Sequence, residues 1–391
     1  MQRASTPRSI LPTIVFSQFA GTSLWFAGNA VLPELQQAMN LQDAALGPLT
    51  SAVQLGFIFG TLFFAFFSLA DRISPRLLFL LCALLGAGAN ALVPVVAGSL
   101  ASVLVLRALT GFLLAGIYPV GMKIAAGWYS QGLGRAIGYL VGALVVGTAF
   151  PHFLRAFDTL LPWRMLLLLV SGLAATGGIL MYAFVPDGPY LKKGAAFKAA
   201  NLLLAFRDRA FRNAAFGYFG HMWELYTLWA FAPFIIAFAL PHLPAEQVSM
   251  WSFAVIAAGA IGCVGGGYLS QSWGSSKVAF WQLLLSGLCC LLSVVVLQAQ
   301  APVLILLFLL AWGVVAAGDS PQLSTLTAQT APIHLVGTAI TVVISIGFAI
   351  TIGSIQLMAH LLRSFPPHAV LPILAIGPVL GLLSLRHLLS K

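Results

Sequence analysis

The stretch DGPYLKKGAAFKAANLLLAFRDRAFR, residues 187–212, is the only long polar segment in a very apolar chain. It holds six basic residues and two acidic ones, a composition that predicts a solvated connector and not a packed element. The parts on either side, residues 1–186 and 213–391, are each long enough for about six membrane-spanning helices of roughly 20 apolar residues. The sequence therefore predicts an N-terminal six-helix bundle over 1–186, a basic cytoplasmic connector over 187–212 and a C-terminal six-helix bundle over 213–391.

The composition of the 391 residues indicates a membrane protein. Hydrophobic residues make up 60% of the chain and charged residues only 7%, whereas charged residues make up about a quarter of a soluble domain. The apolar runs are continuous and do not alternate at period two, which favours helices over a membrane β-barrel. We therefore expect an all-α polytopic membrane protein with twelve transmembrane helices in two pseudo-symmetric bundles.

The formal net charge of +10 is compatible with nucleic-acid binding or with membrane topology. With twelve spans and a cytoplasmic N-terminus, fourteen of the nineteen lysines and arginines fall on the cytoplasmic side. This asymmetry follows the positive-inside rule, so it predicts that both termini are cytoplasmic and argues against a nucleic-acid partner. The four cysteines lie in apolar runs without metal-ligand spacing, so we expect no disulfide and no metal site.

The first expected span, from Ile10 to Leu32, carries a polar stripe. Gln18, Thr22, Trp25 and Asn29 recur at the spacing of one helical face. Unpaired amides in hydrocarbon are costly, so this face is expected to line a cavity or to bond a neighbouring helix. Both interpretations stay open.

The loop SLADRISPR, residues 68–76, joins the second and third expected spans. Asp71, Arg72 and Arg76 resemble the major facilitator superfamily signature at this place, Gly-x-x-x-Asp-Arg-x-Gly-x-Arg/Lys, although Phe67 and Ser74 stand where the family has glycine. The resemblance implies that the loop is a conformational latch, which holds the two halves together in one state. A basic loop that only fixes the topology is the alternative.

Gly267, Gly274 and Lys277 form a second, less complete copy of this pattern after the eighth expected span. The segment AGIYP at 115–119 likewise matches AGDSP at 317–321. Two copies at similar spacing predict two related six-helix halves. Transporters built of such parallel repeats bind their substrate between the halves.

Arg107 and Gly111 resemble the family's motif in span 4, Arg-x-x-x-Gly. An arginine inside a span costs about 2.5 kcal/mol or more unless it snorkels or finds a partner. The resemblance implies that Arg107 lies beside the central cavity and takes part in proton transfer. Lys123, nearer the cytoplasmic end of the span, is expected to snorkel towards the headgroups.

Span 7 carries an unusual polar cluster that includes Tyr218, His221 and Glu224. His221 and Glu224 are three residues apart and therefore share a helical face. Glu224 falls near the bilayer midplane, where a carboxylate must be paired, hydrated or protonated. A reversible proton carrier meets this requirement, and so does a permanent structural pair with His221 or with an arginine of another helix.

Asp319 follows a run, residues 278–318, that contains no charge. The segment from Asp319 to Gln322 includes Pro321, which frees backbone carbonyls in the preceding turn. It predicts either a broken-helix site that holds a cation or substrate, or a kink near the cytoplasmic gate.

No nucleophile elbow, zinc-protease motif or phosphate loop occurs in the sequence, so we expect neither an enzyme nor an ATP-driven pump. We expect a secondary transporter of the cell inner membrane, monomeric and without cofactors, that moves a small organic solute by alternating access coupled to protons. The expected proton-coupling residues are Glu224, Asp319 and Arg107. The expected substrate-cavity residues are Gln18, Trp25, Asn29, Tyr218, His221, Gln322 and Gln356.

Two alternative functions stay open at this point. One is uncoupled facilitation or organic-anion transport, in which Arg107 and His221 bind a carboxylate. The other is a receptor or assembly protein that keeps the transporter fold, an interpretation that the incomplete latch pattern leaves open.

Overall fold

The computed structural model describes residues 7–39, 46–129, 133–157, 161–191, 204–332 and 336–389. Within these ranges the chain is helical and contains no strand. Eleven helical segments are long and apolar enough to cross a membrane, and one shorter apolar helix, Ile10–Thr22, precedes them. Together they form the twelve spans of an all-α membrane protein, which confirms the predicted fold class.

Eight of the spans are uninterrupted helices. They are Leu46–Phe66 (span 2), Pro75–Leu92 (span 3), Leu133–Arg155 (span 5), Trp163–Phe184 (span 6), Arg209–Ala239 (span 7), Ala245–Trp273 (span 8), Ser275–Val296 (span 9) and Val336–Leu361 (span 11). The other four are built from shorter helices: Ile10–Thr22, Ala27–Ala30 and Leu32–Ala38 (span 1); Leu100–Leu114 and Tyr118–Trp128 (span 4); Pro302–Gly318 and Ser320–Thr330 (span 10); Pro367–Val370 and Ile376–Leu385 (span 12). Short helical turns cover Leu69–Arg72, Val93–Val95, Leu204–Arg207, Leu371–Ala375 and Arg386–Leu388.

The prediction that span 1 is a single helix from Ile10 to Leu32 is wrong. The helix ends at Thr22, and residues 23–26 form a turn before the next helical segment. The hydroxyls of Thr22 and Ser23 bond the carbonyls of Gln18 and Ala20 at 2.8 and 2.7 Å, and such local bonds compete with the helical ladder. The polar stripe therefore does not continue along one helical face.

Spans 4 and 10 break at equivalent places. Each covers 29 residues, and each is interrupted within the repeated pentapeptide, at residues 115–117 in span 4 and at Asp319 in span 10. Pro119 and Pro321 follow the breaks in the first turn of the next helix, where the missing proline N–H costs nothing. The matching breaks confirm that the two bundles are pseudo-symmetric.

Close packing inside each bundle depends on glycine at equivalent contacts. A Cβ on Gly56 of span 2 would collide with the backbone carbonyl of Ala108 in span 4, and one on Gly262 of span 8 would collide with that of Val314 in span 10. Between the bundles, span 2 packs against span 11 and span 5 against span 8. These two pairs form the two walls of the interface.

The predicted connector is described only at its ends. Lys192, Lys193 and Lys198 lie outside the described residues. At its start, Asp187 accepts a 3.0 Å hydrogen bond from Ser74, and at its end residues 209–212 already belong to the helix of span 7, which Asp208 caps by accepting from the Phe211 N–H at 2.9 Å. Both ends are therefore held by hydrogen bonds although Asp187 and Asp208 are exposed, and the division at 187–212 stays a prediction.

Candidate solute and proton site

Three cavities lie along the interface between the bundles. We call the end of the molecule that carries the 68–76 loop the Asp71 end, and the opposite end the Glu34 end. Each end has a cavity of about 490 Å³, lined by both bundles. Between them lies a central cavity of only about 20 Å³, which is room for about one water molecule. The structure is therefore closed in the middle.

Six aromatic side chains pack together beside the central cavity, which three of them line, and we call them the aromatic cluster. They are Trp25, Phe26 and Phe57 from the N-terminal bundle and Tyr226, Trp229 and Phe348 from the C-terminal bundle. The ring centroids of Phe57 and Phe348 are 4.4 Å apart, and the Trp25 ring lies 5.5 Å from Phe348 and 5.6 Å from Tyr226. Ring contacts of these six residues hold the two bundles together at this point. The six rings can therefore move apart without breaking an ion pair.

His221 of span 7 and Asp319 at the break of span 10 form a buried pair. His221 Nδ1 lies 2.7 Å from Asp319 Oδ1, and the two side chains are 1% and 0% exposed. Their neighbours Met222 and Ser320 line the central cavity. The sequence placed these two polar residues 98 positions apart in the chain, and the break before Pro321 brings them into contact.

Glu224 lies one helical turn further along span 7 and is 2% exposed. Its Oε1 accepts a hydrogen bond from the Ser286 hydroxyl of span 9 and another, 2.6 Å long, from the Trp312 indole of span 10. Within the described residues no lysine, arginine or histidine forms an ion pair with it. The structure does not contain the pair of Glu224 with His221 or with an arginine that was weighed from the sequence. Among the described residues His221 contacts Asp319, and Glu224 is held by neutral donors.

Arg107 is 1% exposed and lies inside the N-terminal bundle. Its guanidinium donates to the carbonyls of Leu24 and Trp25 at 2.9 and 2.6 Å and to Asn90 Oδ1 at 3.1 Å. Those carbonyls lie in the break of span 1, so Arg107 satisfies backbone acceptors that the helix leaves open. Arg107 forms no ion pair with either acid in the described part of the chain.

Arg107 in the N-terminal bundle and Glu224 in the C-terminal bundle thus lie at related positions of the two repeats. Arg107 lies between spans 1, 3 and 4, and Glu224 lies between spans 7, 9 and 10, which are the corresponding spans of the second repeat. The charges are of opposite sign and their partners are neutral. Sequence analysis missed Asn90, Ser286 and Trp312, although an asparagine inside the apolar span 3 was a visible signal for the first.

The other predicted cavity residues do not converge on one site. Tyr218 lines the central cavity and Asn29 lines the Glu34-end cavity. Gln356 donates to Ser51 at 2.8 Å across the interface, next to the Glu34-end cavity. Gln18 and Gln322 are buried but line none of the three cavities.

The first copy of the latch pattern is tied to its own bundle. Asp71 forms an ion pair with Lys123, whose ammonium also donates to the Ala70 carbonyl at 2.7 Å. Lys123, which was expected to snorkel, therefore contacts the 68–76 loop. Arg76 lies 4.0 Å from Asp187, and Arg72 is exposed. Asp71 and Lys123 both line the Asp71-end cavity.

The second copy ends span 8. Gly274 is the C-cap and has a positive φ of 81°, a conformation that favours glycine. Gly267 faces Gly138 of span 5 across the interface, because a Cβ on Gly267 would lie 3.9 Å from the Gly138 Cα. Lys277 is exposed.

The fold and its interface cavities define a class: a polytopic protein of two six-helix repeats with the geometry of membrane transporters. The family profile described as Major Facilitator Superfamily matches residues 14–355. The chain therefore belongs to the major facilitator superfamily, a family of membrane transporters.

Solved structures agree on the fold. The human organic anion transporter MFSD10 (TETRAN) is similar with a TM-score of 0.76 at 15% identity, over 98% of this chain and 100% of that one. The nucleoside transporter NupG, solved as a point mutant, is similar with a TM-score of 0.72 at 13% identity, again over 98% and 100%. A sequence search of curated proteins gives no significant match. Identities this low establish the fold and not the solute.

Proposed function

We propose that this protein is a proton-coupled secondary transporter that moves a small organic solute by alternating access. It works as a monomer in the cytoplasmic (inner) membrane, with both termini in the cytoplasm. The observation that carries the proposal is the burial of two carboxyl groups, those of Glu224 and Asp319, in the spans that flank the central cavity. Neither has a lysine or arginine partner in the described residues.

Burial of this kind is the physical requirement of a proton carrier. A carboxylate deep in a membrane protein is costly unless it is paired or hydrated, and a protonated carboxyl group is much less so. An acid that meets water from one side and then the other, as the bundles move, can therefore take up a proton on one side and release it on the other. Glu224 and Asp319 are the two acids in position to do this.

Each residue has a separate role in the proposal. Asp319 exchanges its proton beside the central cavity, where it is paired with His221. Glu224 is the second carrier, and the donors Ser286 and Trp312 stabilise its carboxylate without neutralising it. Arg107 acts on this pair only indirectly, because it contacts Trp25, whose ring packs on Tyr226 two residues after Glu224.

Organic-anion transport without proton coupling is the second candidate. It is suggested by the function of one protein with a similar fold, the human organic anion transporter MFSD10, whose 15% identity establishes the fold alone. The version in which Arg107 and His221 together bind a carboxylate is disfavoured, since the guanidinium of Arg107 already bonds Asn90 and the carbonyls of span 1. A protein that binds a solute without any flux would belong to the third class, a receptor on the transporter fold.

One experiment separates these candidates. A metabolite library is first screened for compounds that raise the thermal unfolding midpoint of the purified protein, and the best stabiliser is radiolabelled for proteoliposome assays. The proposal expects accumulation driven by an imposed pH gradient and abolished by a protonophore. Flux that is insensitive to the protonophore would show uncoupled facilitation instead of proton-coupled transport. Thermal stabilisation by a compound without any flux would show a receptor.

A further inference from the structure

The aromatic cluster contains two indole N–H groups without an acceptor. Trp25 and Trp229 are 0% and 1% exposed, and Nε1 of each has no hydrogen-bond partner among the described residues. By contrast, Trp128 donates to the Pro186 carbonyl at 2.9 Å, and Trp312 donates to Glu224. Trp25 and Trp229 both pack on the ring of Tyr226, at 5.6 and 5.2 Å.

A third unpaired group lies next to the cluster. Gln54 of span 2 is 0% exposed, and neither atom of its carboxamide has a partner in the described part of the chain. It is three residues before Phe57 and therefore on the same side of the helix as that ring. Buried polar groups in proteins are normally hydrogen-bonded, so these unpaired groups need a partner that the chain itself does not supply, such as a water molecule, an ion or a ligand.

The chemistry of these groups selects the partner. An indole N–H donates and cannot accept, so two of them call for oxygen or nitrogen acceptors on the ligand. The six rings offer flat apolar faces, which stack on a planar molecule. The two indoles offer no acceptor to a cationic group. Glu224, two residues before Tyr226, already accepts hydrogen bonds from Ser286 and Trp312, and Asp319 Oδ1 lies 2.7 Å from His221 Nδ1.

We propose that the solute is a planar organic molecule that carries a carbonyl or carboxylate oxygen and no cationic group, and that it binds between Trp25 and Trp229. The proposal rests on the proposed function, whose solute it specifies. The central cavity of about 20 Å³ does not hold such a molecule. Binding therefore requires the rings of the two bundles to separate, and their contacts leave them free to do so.

Three naphthalene probes of nearly equal size test this chemistry in purified protein in nanodiscs, without any gradient. They are 2-naphthoate and 2-acetonaphthone, which present acceptor oxygens, and 2-(aminomethyl)naphthalene, which presents a cationic donor. Binding is measured by calorimetry, with empty nanodiscs as the background. We expect saturable binding of both acceptor probes, at least tenfold tighter than that of the amine.

The variants Trp25→Phe and Trp229→Phe keep an aromatic ring and remove the N–H. Each is expected to weaken acceptor-probe binding about tenfold, equivalent to about 1.4 kcal/mol, and to leave the amine unchanged. Trp281→Phe, at a tryptophan that is 53% exposed on span 9, is the matched control and is expected to change nothing. The thermal unfolding midpoint of each variant verifies that it is folded.

Tighter binding of the amine, absence of saturable binding for all three probes, or an unchanged preference in both folded variants would each overturn the inference. The result is independent of proton coupling. Preferential binding of the acceptor probes together with flux that ignores the pH gradient would leave the inference standing and remove the proposed coupling. Transport driven by the pH gradient without preferential binding of the acceptor probes would keep the proposed coupling and overturn only the inference about the solute.

Discussion

Arg107 of span 4 donates a 2.6 Å hydrogen bond to the backbone carbonyl of Trp25 in the break of span 1. A residue that resembles the proton-transfer arginine of the family thus supports a helix break. It also holds the backbone of a tryptophan in the aromatic cluster. In this conformation its contacts are structural and reach neither acid.

Replacing Arg107 by lysine therefore has a predicted cost in stability. A lysine keeps the charge but cannot bond Asn90 and two carbonyls with one planar fork. Losing buried charge-assisted hydrogen bonds costs about 2–3 kcal/mol, so we expect a lower thermal unfolding midpoint for Arg107→Lys in detergent. The matched control is Arg72→Lys, at an exposed arginine. Equal midpoints for the two variants would show that the guanidinium contacts do not support the break.

Gly138 and Gly267 predict a cross-link between the bundles at the Asp71 end. A Cβ built on Gly138 lies 3.8 Å from the Gly267 Cα, and one built on Gly267 lies 3.9 Å from the Gly138 Cα. This close approach puts a disulfide, which needs Cα atoms about 4.4–6.8 Å apart, within reach. The double variant Gly138→Cys/Gly267→Cys, with Cys263 replaced by alanine, is expected to oxidise readily and to lose flux until a reductant is added. Gel mobility and proteoliposome flux measure the two effects.

The control for this cross-link moves the second cysteine by two residues. A Cβ on Gly265 meets no atom within 4 Å, so Gly138→Cys/Gly265→Cys is expected to stay reduced and active. If the cross-linked Gly138/Gly267 protein transports at the rate of the reduced protein, the bundles do not separate at this end.

We predict that exchanging the charges of Asp71 and Lys123 restores part of the flux that is lost when Asp71 alone is changed. Their ion pair ties the 68–76 loop to span 4 beside the Asp71-end cavity. Asp71→Lys alone places two cations together and is expected to lower flux at least tenfold, whereas Asp71→Lys/Lys123→Asp restores part of it. A double variant no better than the single one would assign the effect of residue 71 to its other contacts. Initial rates in proteoliposomes, normalised to protein amount, make this comparison.

Two glycines of span 8 predict stability changes of opposite sign. Gly274 has φ of 81° and ψ of 149°, a region that costs other residues about 1–3 kcal/mol, so Gly274→Ala is expected to lower the unfolding midpoint. Gly265 is inside the helix with free space around it, and alanine there is favoured by about 0.5–1 kcal/mol. A rise with Gly274→Ala would contradict the φ of this residue.

The sequence predicted the spans well because each is a long apolar run, and it predicted the break of span 10 because Pro321 marks it. It could not predict the break of span 1. Residues 23–26 are Ser-Leu-Trp-Phe, without proline or glycine, and the break is stabilised by Arg107, 82 positions after Trp25.

The site was predicted at the level of residue types but not of partners. Glu224 and His221 share a helical face, which left a pair between them open, yet they have different partners: His221 contacts Asp319 of span 10, and Glu224 accepts from Ser286 of span 9 and Trp312 of span 10. The rotation of span 7 about its axis determines which side chains of spans 9 and 10 these two residues meet, namely Ser286, Trp312 and Asp319. Helix rotation depends on packing among residues distant in the sequence, so hydrophobic periodicity does not specify it.

Proton coupling through the two buried acids is tested most directly by comparing accumulation with exchange in the same proteoliposomes. The stabilising solute identified by the library screen is measured in two ways: uptake driven by a pH gradient, and counterflow between equal concentrations without a gradient. Glu224→Gln and Asp319→Asn remove each ionisable group with little change in shape. Glu246→Gln, in the first turn of span 8 and lining none of the three cavities, is the control. We predict that both site variants lose gradient-driven accumulation and keep counterflow, while Glu246→Gln keeps both. Wild-type accumulation in Glu224→Gln and in Asp319→Asn would contradict the account.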